Sequence, residues 1–481
     1  MLTYQDLLKV GDNDAEKISF CKNAIGQHKS SEMYKIAKDA DQYSKHKNVT
    51  ITQYQKVLYT LSGATVPDTW SANYKMASRF FHRFVTQENQ FLLGNGVTWN
   101  EESTKERLGT DKYPFDNQLQ KAGKDALVMG VSFGFFNLDH IDVFDLLEFV
   151  PIYDEEDGAM KAGIRFWQID DSKPLRATLY EIDGYTDYIW NRKRENTEIE
   201  GEVLHPKRAY KLKVRETQID GEEIYDEENY PSFPIVPLWG NPNHQSEIVG
   251  LREQIDCYDL IKSGFANTVD DASIIYWTLT NAGGMDDVDL AKFVERLKTV
   301  HAVTADEEID IQSHNIEPPY NSREALLERL EKDLYKDAMA LNTADIADGA
   351  VTATQIRAAY EPLNSKTDDF EYCVIDFIKR ILAIAGIDKE QPTFTRSMIV
   401  NVSEEVQTVI QAASYLDSEY VTRKILTILG DGDKADEVLK NIETDDMARF
   451  KEYETQQEES EEEVNNEQEE GLGGEANRQS A

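Results

Sequence analysis

Asn342-Thr343-Ala344-Asp345-Ile346-Ala347-Asp348-Gly349-Ala350-Val351-Thr352-Ala353-Thr354 is small and polar from end to end, and both of its flanks are strongly helical. Upstream, Ser322 has the chemistry of an N-cap, and Ala325, Leu326, Leu330, Leu334 and Ala338 recur on one helical face. Downstream, an apolar helical pattern runs on to Gly386 with Pro362 inside it, which predicts a long kinked helix. Loops between packed helices usually take about two to eight residues. This one is longer, holds Gly349 for an irregular backbone, and offers hydroxyls and carboxylates that need water or a polar partner. The decisive unit is therefore a helix–loop–helix over Ser322–Gly386.

Working outward, residues 272–320 form an interrupted insert. Its pattern predicts a strand at Ile274–Leu279, a turn at Asn281-Ala282-Gly283-Gly284, a helix over Val288–Leu297 and a strand over Thr299–Val303. A further strand and the terminator Pro318-Pro319 close it. Before the insert, Ser246 is expected to cap a helix whose apolar stripe is Leu251, Ile255, Tyr258 and Leu260-Ile261. Tyr230-Pro231-Ser232-Phe233-Pro234-Ile235-Val236-Pro237 can be neither a helix nor a central strand, since each proline lacks an N–H, and is read as an extended connector. From Val128 to Arg215 the period is two, with strands at Ser132–Leu138, Ala162–Trp167 and Ala177–Tyr180 and turns at Asp154–Gly158 and Asp183-Gly184. A helix carrying Phe80, Phe81, Phe84, Phe91 and Leu92 is expected from Ser71 to the stop at Gly94-Asn95-Gly96. Residues 1–70 are polar and helical in character, and 403–450 give two or three short helices. The fold class is α+β, mainly helical, with an acidic C-terminal tail over 451–481 whose composition predicts disorder.

The 481 residues carry a net charge of −39. The tail holds eleven acids against two basic residues, so most of the excess lies in the folded body. Such a body does not grip nucleic acid by neutralising phosphates. It is compatible with solubility alone, or with letting a polyanion slide past without sticking. Cys21, Cys257 and Cys373 are far apart with no CxxC spacing, which argues against a disulfide framework or a zinc site. No apolar run approaches the ~20 residues of a membrane span, and the start of the chain has no signal-peptide pattern.

Chemistry is sparse. Asp154-Glu155-Glu156-Asp157 sits in a tight turn, where acids serve solvation and turn formation better than catalysis. Asp431-Gly432-Asp433-Lys434-Ala435-Asp436 begins like a calcium loop, but Asp436 stands where glycine is needed and Ile442 where glutamate is needed. No phosphate loop, GxSxG, HExxH or GxGxxG is present, and the eight histidines are scattered. No reaction class can be assembled, so no catalytic residue, metal ligand or cofactor is assigned.

Several segments taken in order resemble the portal proteins of siphophages of Gram-positive hosts. They are Phe91-Leu92-Leu93-Gly94-Asn95-Gly96-Val97, and Glu148-Phe149-Val150-Pro151-Ile152-Tyr153-Asp154. Next come Phe233-Pro234-Ile235-Val236-Pro237 with Ser246-Glu247-Ile248 and Ile255-Asp256-Cys257-Tyr258-Asp259, then Ser418-Glu419-Tyr420-Val421-Thr422, where Tyr420-Val421 departs from the family pattern. The likeness covers roughly residues 30–450. It implies an N-terminal region and wing over 1–245, stem helices over 246–271 and 322–341, and a clip over 272–321. It further implies a tunnel loop over 342–354, a long kinked wing helix and strand over 355–402, and a crown over 403–450.

By the same resemblance the chain is a non-enzymatic subunit of a dodecameric ring at the portal vertex of a virion, assembled in the host cytoplasm. Its implied partners are the terminase large subunit, head-completion or adaptor proteins, capsid and scaffold proteins, and double-stranded DNA held without sequence preference, with no membrane. Asn342, Thr343, Asp345, Asp348, Gly349, Thr352 and Thr354 would meet the DNA. Glu247, Glu253, Asp256, Glu324 and Glu328 are candidates to line the stem, with Pro362 as the helix kink. Twelve helices about 10–12 Å wide set side by side give a circumference of roughly 120–140 Å and a bore of about 30 Å, enough for a duplex. The alternative is another acidic phage structural or scaffold-binding protein without a channel.

Overall fold

The computed structural model describes residues 2–59, 63–69, 71–101, 103–192, 199–217, 223–271, 276–280, 292, 310–314, 320–344, 353–387, 390–397 and 402–442. The predicted tail, most of the 272–321 insert and residues 345–352 lie outside them. The chain divides into two units, Met1–Thr343 with Tyr360–Ser397, and Ala344–Ala359 with Met398–Ala481.

In the first unit the polar N-terminal stretch makes four helices, α1 (Tyr4–Val10), α2 (Asp14–Ser30), α3 (Glu32–Ser44) and α4 (Val49–Gln53). Thr3, Asn13, Ser31 and Asn48 cap them, each side chain accepting from a backbone N–H of the first turn. A short hairpin, β1 (Val57–Tyr59) with β2 (Thr65–Pro67), follows where only helix was expected. Next come α5 (Phe80–Leu93), β3 (Val97–Thr98), α6 (Ser103–Leu108) and α7 (Phe115–Met129). Gly130, at φ 89°, ends α7 in the left-handed conformation that glycine adopts without penalty.

The period-two region then gives β4 (Val131–Asn137), β5 (His140–Asp145), β6 (Phe149–Tyr153), β7 (Met160–Trp167), β8 (Leu175–Glu181), β9 (Gly184–Arg192) and β10 (Ile199–Arg208). Strands β6 to β10 form an antiparallel meander. Phe20, Cys21, Ala24 and Ile25 of α2 pack on one face of it, against Ile152, Ile164, Leu179 and Trp190. A separate hairpin, β11 (Lys211–Thr217) with β12 (Glu223–Glu228), comes next. The proline-rich connector ends in β13 (Ile235–Trp239), an edge strand beside β4 in a three-stranded sheet with β5. An edge position is where Pro237 costs no ladder hydrogen bond.

Among the described residues after β13, the first unit holds β14 (Tyr276–Thr280), paired with β15 (Asp310–His314), and the short β16 (Thr393–Phe394) on β3. Its helices are α8 (Arg252–Asp271), α9 (Tyr320–Asp337) and α10 (Ala353–Ala385), the last beginning in the second unit. Pro362 lies within α10 and Gly386 follows its end. Phe370, Val374, Phe377, Ile378 and Ile381 of α10 enter the main core with α5, α7 and β4. The second unit contains α11 (Val402–Ala412) and α12 (Ser418–Leu429), the latter capped by Asp417 and stopped by Gly430.

Three helix starts differ from expectation. α5 begins at Phe80 instead of Ser71 because the backbone before it is bonded elsewhere, as described below. α8 begins at Arg252, and Ser246 is not its cap. The Ser246 hydroxyl donates to the Val128 carbonyl at the end of α7, and the Glu247 N–H bonds the Leu127 carbonyl, so this stretch docks on α7 before the helix starts. α9 begins at Tyr320, which places Ser322 inside the first turn instead of before it.

Candidate functional site

Helices α8 and α9 run antiparallel as a hairpin. Gln254 donates to Asp337 at one end, and Phe265 meets Tyr320 edge-on at 5.6 Å toward the other. Arg323 ties the two by donating to the Gly264 carbonyl at 3.3 Å and the Thr268 hydroxyl at 2.7 Å. One end of the hairpin is wedged on α5. There Phe80 meets Tyr258 edge-on at 5.0 Å, Phe84 meets Tyr335 at 5.3 Å, and Arg83 donates to the Tyr335 hydroxyl.

A polar ladder fixes α8 to the body. The N–H groups of Tyr74, Met76 and Ser78 donate to the side chains of Asn267 (2.7 Å), Ser263 (3.0 Å) and Asp259 (2.9 Å). Every second residue of an extended segment thus meets every fourth residue of a helix, which places the three acceptors on one helical face. All three acceptors are buried, and Asp259 also accepts from Asn48 at 2.8 Å. These bonds take the donors that helix formation before Phe80 would need. At the same end Arg252 pairs with Asp39 at 2.8 Å, and the Tyr43 hydroxyl donates to Asp256.

The chain is also held where α9 gives way to the polar loop. Met339 adopts φ 52°, and Ala338 and Leu341 are buried. Gln87 grips Leu341 on both sides: its amide donates to the Leu341 carbonyl at 3.0 Å, and its oxygen accepts the Leu341 N–H at 3.0 Å. One turn along α10 from Leu363, Lys366 reaches the same place. Its ammonium pairs with Glu88 and Glu247, each at 2.7 Å, and donates to the Ala338 carbonyl at 3.3 Å. Glu88 is 1 % exposed, and burial pushes its carboxyl up to about 7 against the attraction of Lys366. Burial disfavours the Lys366 charge, but Glu88 and Glu247 outweigh it and hold the ammonium up at about 12. The lysine stays charged, and Glu88 is the carboxylate strained by desolvation.

The structure separates the sequence candidates. Asn342 is half-buried and Thr343 exposed at the start of the loop, and Thr354 is exposed in the first turn of α10. Asp345, Asp348, Gly349 and Thr352 lie outside the described residues. Glu247 precedes α8 and is bound to Lys366, and Asp256 is half-buried against Tyr43, so both are engaged within the subunit. Glu253, Glu324 and Glu328 are exposed on the hairpin, with Glu328 paired to Lys332 at 2.7 Å. Along α9 only the second half of the predicted stripe is buried: Leu334 and Ala338 are covered, and Leu326 is 44 % exposed. Sequence reading missed Gln87, Glu88 and Lys366. Their one local signal is the polar run Gln87-Glu88-Asn89, whose Glu88 and Asn89 lie among the buried apolar side chains of α5.

The Asp154–Asp157 turn is internally satisfied. Asp154 accepts from Gln5 and the Glu156 N–H and pairs with Lys161, and these hydrogen bonds hold its carboxyl down at about 2. Among the described residues no group of His, Cys, Asp and Glu is arranged to hold a metal ion, and no helix is long and apolar enough to cross a membrane.

What these residues build is an α+β body that carries an antiparallel two-helix hairpin held on α5. Residues 24–465 match the model of the family "Phage portal protein, SPP1 Gp6-like", and the chain belongs to that family of structural phage proteins. It is 24% identical over 401 residues to the portal protein of Bacillus phage SPP1, covering 76% of this chain and 75% of that one. It is 28% identical over 212 residues to the portal protein of Clostridium phage phiCD119, where the match spans 42% of this chain and 47% of the relative. A chain of the solved structure titled "Neck of native GTA particle computed with C12 symmetry" aligns over 72% of this chain and 89% of that chain, with a TM-score of 0.39 and 9% identity.

Proposed function

We propose that this chain assembles into a closed ring at the portal vertex of a tailed phage, and that double-stranded DNA enters and leaves the head through the ring. Membership of the portal family carries this reading. In it, α8 and α9 are the stem, 272–321 the clip, 342–354 the tunnel loop, 355–402 the wing helix and strand with a kink at Pro362, 403–450 the crown, and 1–245 the wing. The clip docks the terminase motor and later the head-completion proteins, and the wing meets capsid and scaffold. Helices stood side by side in a ring would cover the apolar residues left open on the isolated hairpin, Leu260, Val269 and Leu326. Glu253, Glu324 and Glu328 remain available to face the bore, where like charge keeps phosphates from adhering.

Negative-stain images of the purified protein should show rings viewed down an axis, with twelve-fold symmetry expected. A protein that stays monomeric at every concentration sinks the ring. Deleting residues 345–352 should leave rings intact and abolish DNA filling of heads. Normal filling by that variant removes the loop from the mechanism.

A further inference from the structure

The β11–β12 hairpin is stable-looking at its base and bare beyond it. At the base, the Tyr210 hydroxyl donates to the carbonyls of Glu181 (2.6 Å) and Gly184 (3.2 Å), and the Tyr230 hydroxyl accepts the Leu138 N–H at 2.9 Å. Asn229 donates to the Asp183 carbonyl at 3.0 Å and accepts the Tyr210 N–H at 3.1 Å. Tyr210 and Tyr230 are buried, so the direction of the arm is set by the body. Past this anchor the described side chains are open on both faces. Every side chain described from Leu212 to Glu228 is exposed, and Leu212 is 65 % exposed. A two-stranded ribbon solvated on both faces is marginal in water and normally needs a third strand or a helix against it.

The charges on the ribbon say what that covering is. β11 carries Lys211, Lys213 and Arg215, in a chain with nearly two acids for every basic residue. β12 carries Glu223, Asp226, Glu227 and Glu228. Lys211 lies opposite Glu228 and Lys213 opposite Asp226, and Arg215 reaches Asp226 at 3.5 Å. β11 thus holds three basic residues against one acid, Glu216, while every charged residue of β12 is an acid, so the two edges carry opposite excess charge. Like charges on an edge block its pairing with a copy of itself. They favour the other edge. Two hairpins related by rotation about a ring axis and set side by side place β11 of one next to β12 of the other, and those strands run antiparallel. The register already present inside the hairpin can then be repeated between copies.

We propose that the β11 edge of each subunit pairs with the β12 edge of the next copy of this chain, joining the hairpins into a belt of alternating basic and acidic strands. This rests on the ring reading above. It assigns that ring a specific head-to-tail contact, which the symmetry of a heterologous interface allows and an isologous one does not.

The test is a charge-swapped chain carrying Lys211→Glu, Lys213→Glu, Arg215→Glu, Asp226→Lys, Glu227→Lys and Glu228→Lys. Inside the swapped hairpin every cross-strand pair stays complementary, so the fold is preserved. Next to a wild-type hairpin, however, basic meets basic and acid meets acid. Turning two such pairs from attraction to repulsion weakens each mixed contact by roughly tenfold. The swapped chain should form rings alone. Mixed one to one with mass-tagged wild type before assembly, it should sort into rings of one kind, read by native mass spectrometry. Random composition overturns the proposal, as does a folded swapped chain that forms no rings. Should the swapped chain not fold, hydrogen–deuterium exchange of the wild-type chain replaces it: the β11 and β12 amides that are not bonded within the hairpin should be protected in assembled rings and exchange freely in the monomer. Equal exchange in ring and monomer overturns the contact. Absence of rings from the wild-type chain is a different result, and it defeats the ring itself.

Discussion

Lys366→Met tests whether the charge hub at the loop root holds the subunit together. Methionine keeps the length and apolar stem of lysine and removes only the ammonium. Glu88, 1 % exposed, then keeps its place with no cation beside it, and Glu247 loses its partner at 2.7 Å. Removing one partner of a buried pair costs about 3–5 kcal/mol, because the charge left behind is neither solvated nor paired. The pH dependence has a definite sign. Glu88 has a folded-state pKa of about 7, above the 4.5 of a free glutamate. Its contribution to stability is therefore full below about pH 4.5 and lost as pH rises through 7, about 3 kcal/mol in all. Without Lys366 the carboxyl rises further and the loss continues above pH 7. The gap between wild type and Lys366→Met should thus be largest near pH 8 and narrow at pH 5, where Glu88 is protonated in both.

Urea denaturation at the two pH values measures this, followed by a probe of the first unit. Adding Glu88→Gln to Lys366→Met should recover at least half of the loss at pH 8, since a neutral amide needs no counter-charge. A variant within about 1 kcal/mol of wild type at pH 8 refutes the reasoning, as does a gap that does not change with pH.

Two further substitutions probe packing and the ladder that fixes α8. Asp259→Ala removes the acceptor for the Ser78 N–H and for Asn48, both buried or half-buried, and should cost about 1–3 kcal/mol, with faster amide exchange at Ser78 in hydrogen–deuterium exchange. Gly134→Ala puts a methyl 2.5 Å from Phe377 Cζ, where α10 crosses β4, and should lower stability by about 1–3 kcal/mol through overpacking, read as a fall in melting temperature.

What the sequence made legible is what local pattern controls. The period-two strands, the acidic turn at Asp154–Gly158, and a helix running to Gly386 each follow from residues a few positions apart. The misreadings have non-local causes. Residues 71–79 have a helical pattern, yet the N–H groups of Tyr74, Met76 and Ser78 are taken by side chains more than 180 positions away. Ser246 has the chemistry of a cap, but its hydroxyl is taken by Val128, 118 positions earlier. Glu88, Glu247 and Lys366 come from three distant stretches, and no spacing rule links them. The half-exposed stripe of α9 is a different matter. Leu326 is apolar and helical, as its spacing predicts, and it is 44 % exposed in the single chain.

The acids of the hairpin region divide by what they already hold. Glu247, Asp256 and Asp259 are engaged by Lys366, Tyr43 and the Asn48–Ser78 pair, so within the subunit they hold α8 and the stretch before it against the body. Glu253, Glu324 and Glu328 keep their solvent face. In the proposed ring, fixing and lining therefore fall to different carboxylates. The same division falls along the chain at the loop. Up to Leu341 the backbone is gripped by Gln87 and supported by Lys366 through Ala338, and from Thr343 on the first described residues are exposed. The end of α9 is therefore held to the body as far as Leu341. A force on the loop reaches the body through Gln87 on α5, the helix on which Tyr258 of α8 and Tyr335 of α9 also rest.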